Sequence, residues 1–156
     1  ASLAEVVRGF LLAADERERF ARAVVERCRH SGALALVNGD LDLARRVQAD
    51  GVHLPAHVLM DLTSRPDFEW VGASCHDRPE LEKAAALGLD YALLGAVQPT
   101  ASHPGQVALG WDAFAKLTER LPLPVLALGG LTPADLDIAK AHGAHGLAGI
   151  RSFWAS

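Results

Sequence analysis

Residues 34–54 read LALVNGDLDLARRVQADGVHL. Leu34–Val37 is a short apolar, β-rich run closed by Asn38-Gly39-Asp40. Asp40 then stands as the N-cap of a helix that carries Leu43 and Val47 on one face, and Gly51–Leu54 is a second apolar run. A strand, one helix and a second strand within about twenty residues make a right-handed βαβ unit with parallel strands.

The same grammar repeats to the end of the chain. Trp70–Cys75 reads as a strand, followed by a helix capped by Asp77, with Glu80 three residues on and Gly88 at its end. Tyr91–Gly95 reads as a strand, Trp111–Leu121 as a helix and Pro124–Leu128 as a strand. Thr132-Pro133 opens another helix, with threonine as N-cap and proline at the favoured first position, and Gly146–Ile150 is the last strand. That gives six strands. On the N-terminal side, Ser2–Phe10 reads as a helix, Asp15–Cys28 as a second helix, and Phe10–Ala14 as a poor strand between them.

Two architectures fit this pattern, a doubly wound open sheet and a (β/α)8 TIM barrel. Glycine-rich strand ends in the last third of the chain favour the barrel, whose phosphate site lies after its seventh and eighth strands. With six strands read against eight, the expectation is a TIM barrel lacking one or two N-terminal strands. No linker or low-complexity tract divides residues 1–156, so the chain reads as a single domain.

Composition narrows the function. Half of the residues are hydrophobic and 22% are charged, enough to build a core. A net charge of −4 without a basic stripe argues against nucleic acid as a partner. No apolar run reaches the roughly 20 residues that span a bilayer, so no membrane is expected either. Two cysteines, Cys28 and Cys75, do not form a disulfide framework and read as apolar fillers of a cytoplasmic protein.

Chemistry-bearing residues cluster at the strand ends. Gly129-Gly130 and Gly149-Ile150-Arg151 would let a backbone approach a phosphate, with Arg151 adding a cation. The loop Pro99–Gly105 carries Thr100, Ser102 and His103. Ser74, Cys75 and His76 close one strand and His53 closes the one before. His53, His76 and His103 form a weak candidate for a zinc triad.

Taken in order, Val37–Asp40, Ala49–Leu54, Gly72–His76, Asp90–Gly95, Pro99–His103, Ala127–Leu131 and Gly143–Ala148 resemble the motifs of the thiamine phosphate synthase/TenI family of (β/α)8 barrels. Ala73–Asp77, Pro99–Gly105, Leu109–Trp111 and Ile150–Trp154 resemble the synthase-like domain that some bacteria fuse behind a Nudix hydrolase. The resemblance implies thiamine biosynthesis or salvage. The family reaction joins hydroxymethylpyrimidine diphosphate to thiazole phosphate, giving thiamine phosphate and pyrophosphate with Mg²⁺. The resemblance places Asp40 as a metal ligand and Ser74 and His76 on the pyrimidine side. Thr100 and Ser102 fall in the threonine-rich loop, and Gly129, Gly130, Gly149 and Ile150 at the phosphate site. His103 and His76 are the candidate acid–base residues.

The chain departs from the pattern in several places. The second metal carboxylate falls in Pro55-Ala56-His57-Val58, which has none; the loop lysine is His103; the Gln-x-Arg-x-Lys strand is not found; Arg151 replaces a serine. The histidine of the thiazole tautomerases of the TenI branch is Ala96. The expected partners are therefore a small phosphorylated thiazole or pyrimidine, or thiamine phosphate, and a Nudix hydrolase domain. The contrasting expectation is a module that binds such a ligand without converting it.

Overall fold

The computed structural model describes residues 4–9, 12–101 and 104–149. Seven strands form one sheet: β1 (Ala4–Val7), β2 (Leu34–Asn38), β3 (Gly51–Leu54), β4 (Trp70–Cys75), β5 (Tyr91–Leu94), β6 (Val125–Leu128) and β7 (Gly146–Ala148). Their spatial order is their sequence order, and each neighbouring pair is parallel. Helices α1 (Ala14–Ser31), α2 (Leu41–Arg46), α3 (Ala56–Asp61), α4 (Arg78–Ala86), α5 (Gly110–Thr118) and α6 (Leu136–Ala141) connect them in turn. β1 and β7 are edges that do not pair with each other, so the sheet is a curled half-barrel rather than a closed barrel.

The N-terminal reading is corrected. Ala4–Val7, expected within a helix, is a strand that pairs with Leu34–Val37. Val6 and Val7 are β-branched, and Val7 buries itself in the core. A short apolar run does not reveal its own period; the edge of β2, which must pair its backbone groups, decides it. The barrel is thus one strand short of eight among the described residues, not two. The sequence reading also gave no helix after β3, where Ala56–Asp61 forms α3 and buries Leu59.

The two faces of the sheet differ. Ala35 and Val37, Val52 and Leu54, Val71, Ala73 and Cys75, Ala92 and Leu94, Val125 and Ala127 point to the helices and are all buried. They meet Ala21, Val25 and Cys28 of α1, Leu43 of α2, Leu81 of α4 and Phe114 of α5 in one core. The opposite face carries Leu34, Leu36, Asn38, His53, Gly72, Ser74, Tyr91, Leu93, Leu126 and Leu128. Most of these are half-buried.

Two aspartates repeat one device at the base of the sheet. Asp50, just before β3, accepts the Ala35 amide at 2.8 Å, and Asp90, just before β5, accepts the Val71 amide at 2.8 Å. Each lies one step ahead of its own strand and closes the amide of the second residue of the strand beside it. Arg65 fixes Asp90 from the other side at 2.9 Å and also donates to the carbonyls of Gly88, Phe68 and Glu69.

Candidate active site at the strand ends

Parallel strands put all their C-terminal ends on one edge, and the candidate residues of β2 to β7 lie there or just inside. Three local groupings result.

The first is a partly buried polar trio. His53 on β3, Gly72 on β4 and Tyr91 on β5 form one row across the sheet. Gly72 has no side chain, so the Tyr91 ring lies over it and would collide with any Cβ there. Tyr91 thereby reaches His53: its hydroxyl is 2.8 Å from Nδ1, with the rings stacked at 5.7 Å. Ser74, two residues beyond Gly72 on the same face, places its Oγ 2.7 Å from Nε2 of His53. Burial, with Arg8 as a lesser cause, pulls the His53 pKa down from 6.5 to about 4. The ring is neutral at pH 7 and carries one N–H, so one hydroxyl donates to it and the other accepts from it. So weak a base is poorly matched to activating Ser74 at neutral pH. The trio supplies a fixed polar surface with oriented hydroxyls. Burial also pushes the Tyr91 phenol up and the Cys75 thiol up to about 12, so Cys75 is no thiolate nucleophile.

Both ring nitrogens of His53 are committed, which removes it from the zinc triad considered from sequence. Among the described residues no three His, Cys, Asp or Glu side chains converge on a metal position. His76 stands just beyond β4 with an exposed ring whose Nδ1 is 3.2 Å from Glu80. Asp77 caps α4 as expected, its Oδ1 accepting the Glu80 amide at 3.0 Å. The Glu80 carboxylate accepts the His76 amide at 2.6 Å, one residue earlier than a capping box places it. His76 is therefore held at the mouth, away from the His53 trio.

The second grouping joins the loops after β5 and β6. Val97 donates to the Leu128 carbonyl at 2.9 Å and Gln98 to that of Gly129 at 3.1 Å. A Cβ at Gly129 would lie 2.6 Å from the Ala96 Cα, and one at Gly130 2.5 Å from the Pro99 carbonyl oxygen. Both glycines also have positive φ, 106° and 65°. Loop packing and backbone conformation already exclude side chains at both positions. Thr100 lies in this loop, and Gly149 just beyond β7. Ser102, His103, Ile150 and Arg151 lie outside the described residues.

The third grouping is an open cleft of about 640 Å³ at the ends of β2 and β3, lined by Arg17, Asn38, Asp40, Asp42, Arg45 and His57 among others. Asp40 caps α2 as expected, with Oδ1 accepting the Leu43 amide at 2.9 Å. Its Oδ2 accepts from Nη2 of Arg17, brought in from α1, at 2.9 Å. Arg45 pairs with Asp42 at 3.2 Å. Two cations balance two carboxylates, and Asp40 already serves a helix end and a guanidinium. This donor set does not fit a resident divalent cation, which takes several uncommitted oxygens. Arg17 was missed from sequence because it lies 23 positions from Asp40 and no local signal joins them.

These features define a class: a parallel α/β half-barrel with a polar, glycine-laced C-terminal edge. The chain belongs to the thiamine monophosphate synthase family, whose model matches residues 6–153. It is 37% identical over 145 residues to the thiamine-phosphate synthase of Thioalkalivibrio sulfidiphilus, covering 89% of this chain and 68% of the relative. It is 36% identical to a putative thiamine-phosphate synthase 2 of Aquifex aeolicus, covering 78% of this chain and 66% of that one. Against the Thermosynechococcus vestitus thiamine-phosphate synthase the identity is 33%, over 87% of this chain and 40% of the relative. This chain thus spans about two thirds of the first two relatives and less than half of the third. In structure it is similar to a thiamine phosphate pyrophosphorylase from Pyrococcus furiosus, with TM-score 0.73, 24% identity, and coverage of 96% of this chain and 71% of that one. FabK from Thermotoga maritima reaches TM-score 0.71 at 16% identity over 97% of this chain and 51% of that one, so the fold by itself does not select a function.

Proposed function

We propose that this half-barrel works in thiamine biosynthesis or salvage, condensing hydroxymethylpyrimidine diphosphate with thiazole phosphate to give thiamine phosphate and pyrophosphate. The observation that carries the reading is the Ser74–His53–Tyr91 trio, set beside the glycine-laced loops after β5 and β6 on one strand edge. A pyrimidine needs oriented neutral donors and acceptors, which the trio offers. A phosphate needs a closely approaching backbone, which Gly129, Gly130 and Gly149 offer. The pyrophosphate leaves as charge develops on it, so catalysis is electrostatic stabilisation of that charge. In this reading Thr100, Ser102, His103 and Arg151 serve the phosphate, and His76 and His103 handle protons.

A second reading is favoured by the third grouping. Asp40 is neutralised by Arg17, and position 57 is a histidine, so the diphosphate end differs from a metal-assisted one. Here the barrel binds thiamine phosphate, or a related phosphorylated thiazole, without converting it. It serves in the cytoplasm beside a Nudix hydrolase domain, to whose fused relatives the Ala73–Asp77 and Pro99–Gly105 wording is similar.

One experiment separates the two. The full natural polypeptide is incubated with hydroxymethylpyrimidine diphosphate, thiazole phosphate and Mg²⁺, and thiamine phosphate is measured directly. Product above the protein-free control, lost in His103→Ala, supports the synthase with His103 in its role. Absence of product together with a thermal shift caused by thiamine phosphate supports the binding module. Neither product nor shift overturns both.

A further inference from the structure

In the cleft at the ends of β2 and β3, neither reading gives the Arg17 guanidinium a ligand to hold. Arg17 reaches it from α1 and engages Asp40 through Nη2 alone. Its Nε–H is buried with no partner among the described residues. A guanidinium offers five N–H donors in a planar fork suited to phosphate oxygens. Most of that fork is uncommitted, while the carboxylate it meets is filled by a cation and a helix amide. Arg17 occupies the Asp40 oxygen that a metal ion would need, and it carries the positive charge itself.

We propose that Arg17 is the fixed cation of this cleft. The chain holds a phosphate or diphosphate group there by direct guanidinium contact, without a divalent metal, and the Asp40 carboxylate competes with that group for Arg17. The proposal rests on the reading that the ligand is phosphorylated, but not on whether it is turned over.

The test titrates inorganic pyrophosphate into the whole protein by calorimetry in EDTA, and separately follows Mn²⁺ alone by electron paramagnetic resonance. Wild type is expected to bind pyrophosphate in EDTA and to leave Mn²⁺ free. Arg17→Met is expected to weaken pyrophosphate binding at least about tenfold. Asp40→Asn is expected to bind as tightly as wild type or tighter. Asparagine still accepts the Leu43 amide as an N-cap, and the competing negative charge is gone. This second variant decides the matter if Arg17→Met fails to fold. A metal site predicts the reverse: no binding in EDTA, Mn²⁺ bound by wild type, and both lost in Asp40→Asn. Any of those results, or unchanged binding in Arg17→Met, overturns the proposal. Thiamine phosphate formation by a wild type that ignores pyrophosphate in EDTA would overturn this inference while sparing the synthase. Metal-free pyrophosphate binding without turnover would do the opposite.

Discussion

His53 is buried as a neutral imidazole between two hydroxyls, and that has a consequence for stability. In the unfolded chain it takes up a proton below pH 6.5; in the folded protein it does so only near pH 4. Between those values the unfolded state binds more protons, so stability is complete above 6.5 and falls as the pH drops toward 4. The loss is on the order of 3 kcal/mol. Urea unfolding midpoints measured from pH 7.5 to pH 4.5 should decline for wild type and decline less for His53→Asn; parallel curves would refute the assignment. Gly72 belongs to the same account, since its missing side chain seats Tyr91. Gly72→Ala should cost on the order of 3 kcal/mol in wild type and below about 1 kcal/mol in a Tyr91→Ala background, read from a double-mutant cycle in urea. Additive effects would show that the ring does not lie over Gly72. Of this trio, the sequence offered Ser74 as a site residue and His53 as a strand-end histidine. It gave no hint of Tyr91, because contacts across three strands depend on register.

The elements from β2 onward were largely legible. Asp40 and Asp77 cap α2 and α4 where the sequence placed them, and β2, β3 and β4 run as read or within a residue. Cap chemistry and short β-rich runs bounded by Gly, Pro or Asp are local signals. Ala4–Val7 reads as part of a helix in sequence because four residues, one of them the acidic Glu5, also fit a helical stripe. What the sequence did not show at this scale is the aspartate device at the base of the sheet. Asp90→Ala removes the acceptor of the Val71 amide and the partner of Arg65, and so should destabilise by about 2 kcal/mol. A change under about 0.5 kcal/mol in urea unfolding would reduce Asp90 to a surface charge.

Among the described residues the molecule is a sheet with a protected centre and two edge strands. β3, β4 and β5 each pair on both sides and bury one face completely, whereas β1 and β7 pair on one side only. In hydrogen exchange, the amides of Val52, Val71 and Ala92 should therefore outlast those of Val6 and Leu147 by orders of magnitude. Equal protection of β1 and β3 would mean that another strand covers the edge. By itself the sequence determined the βαβ alternation, the parallel sheet, the caps and the edge on which the chemistry gathers, because period, capping and strand polarity are encoded in near neighbours. Only the tertiary structure decided that Ala4–Val7 is a strand, that Tyr91 reaches His53 over Gly72 and that Arg17 holds Asp40. Each of these joins residues distant along the chain, and only the pairing register and the packing of the helices bring them within a hydrogen bond of each other.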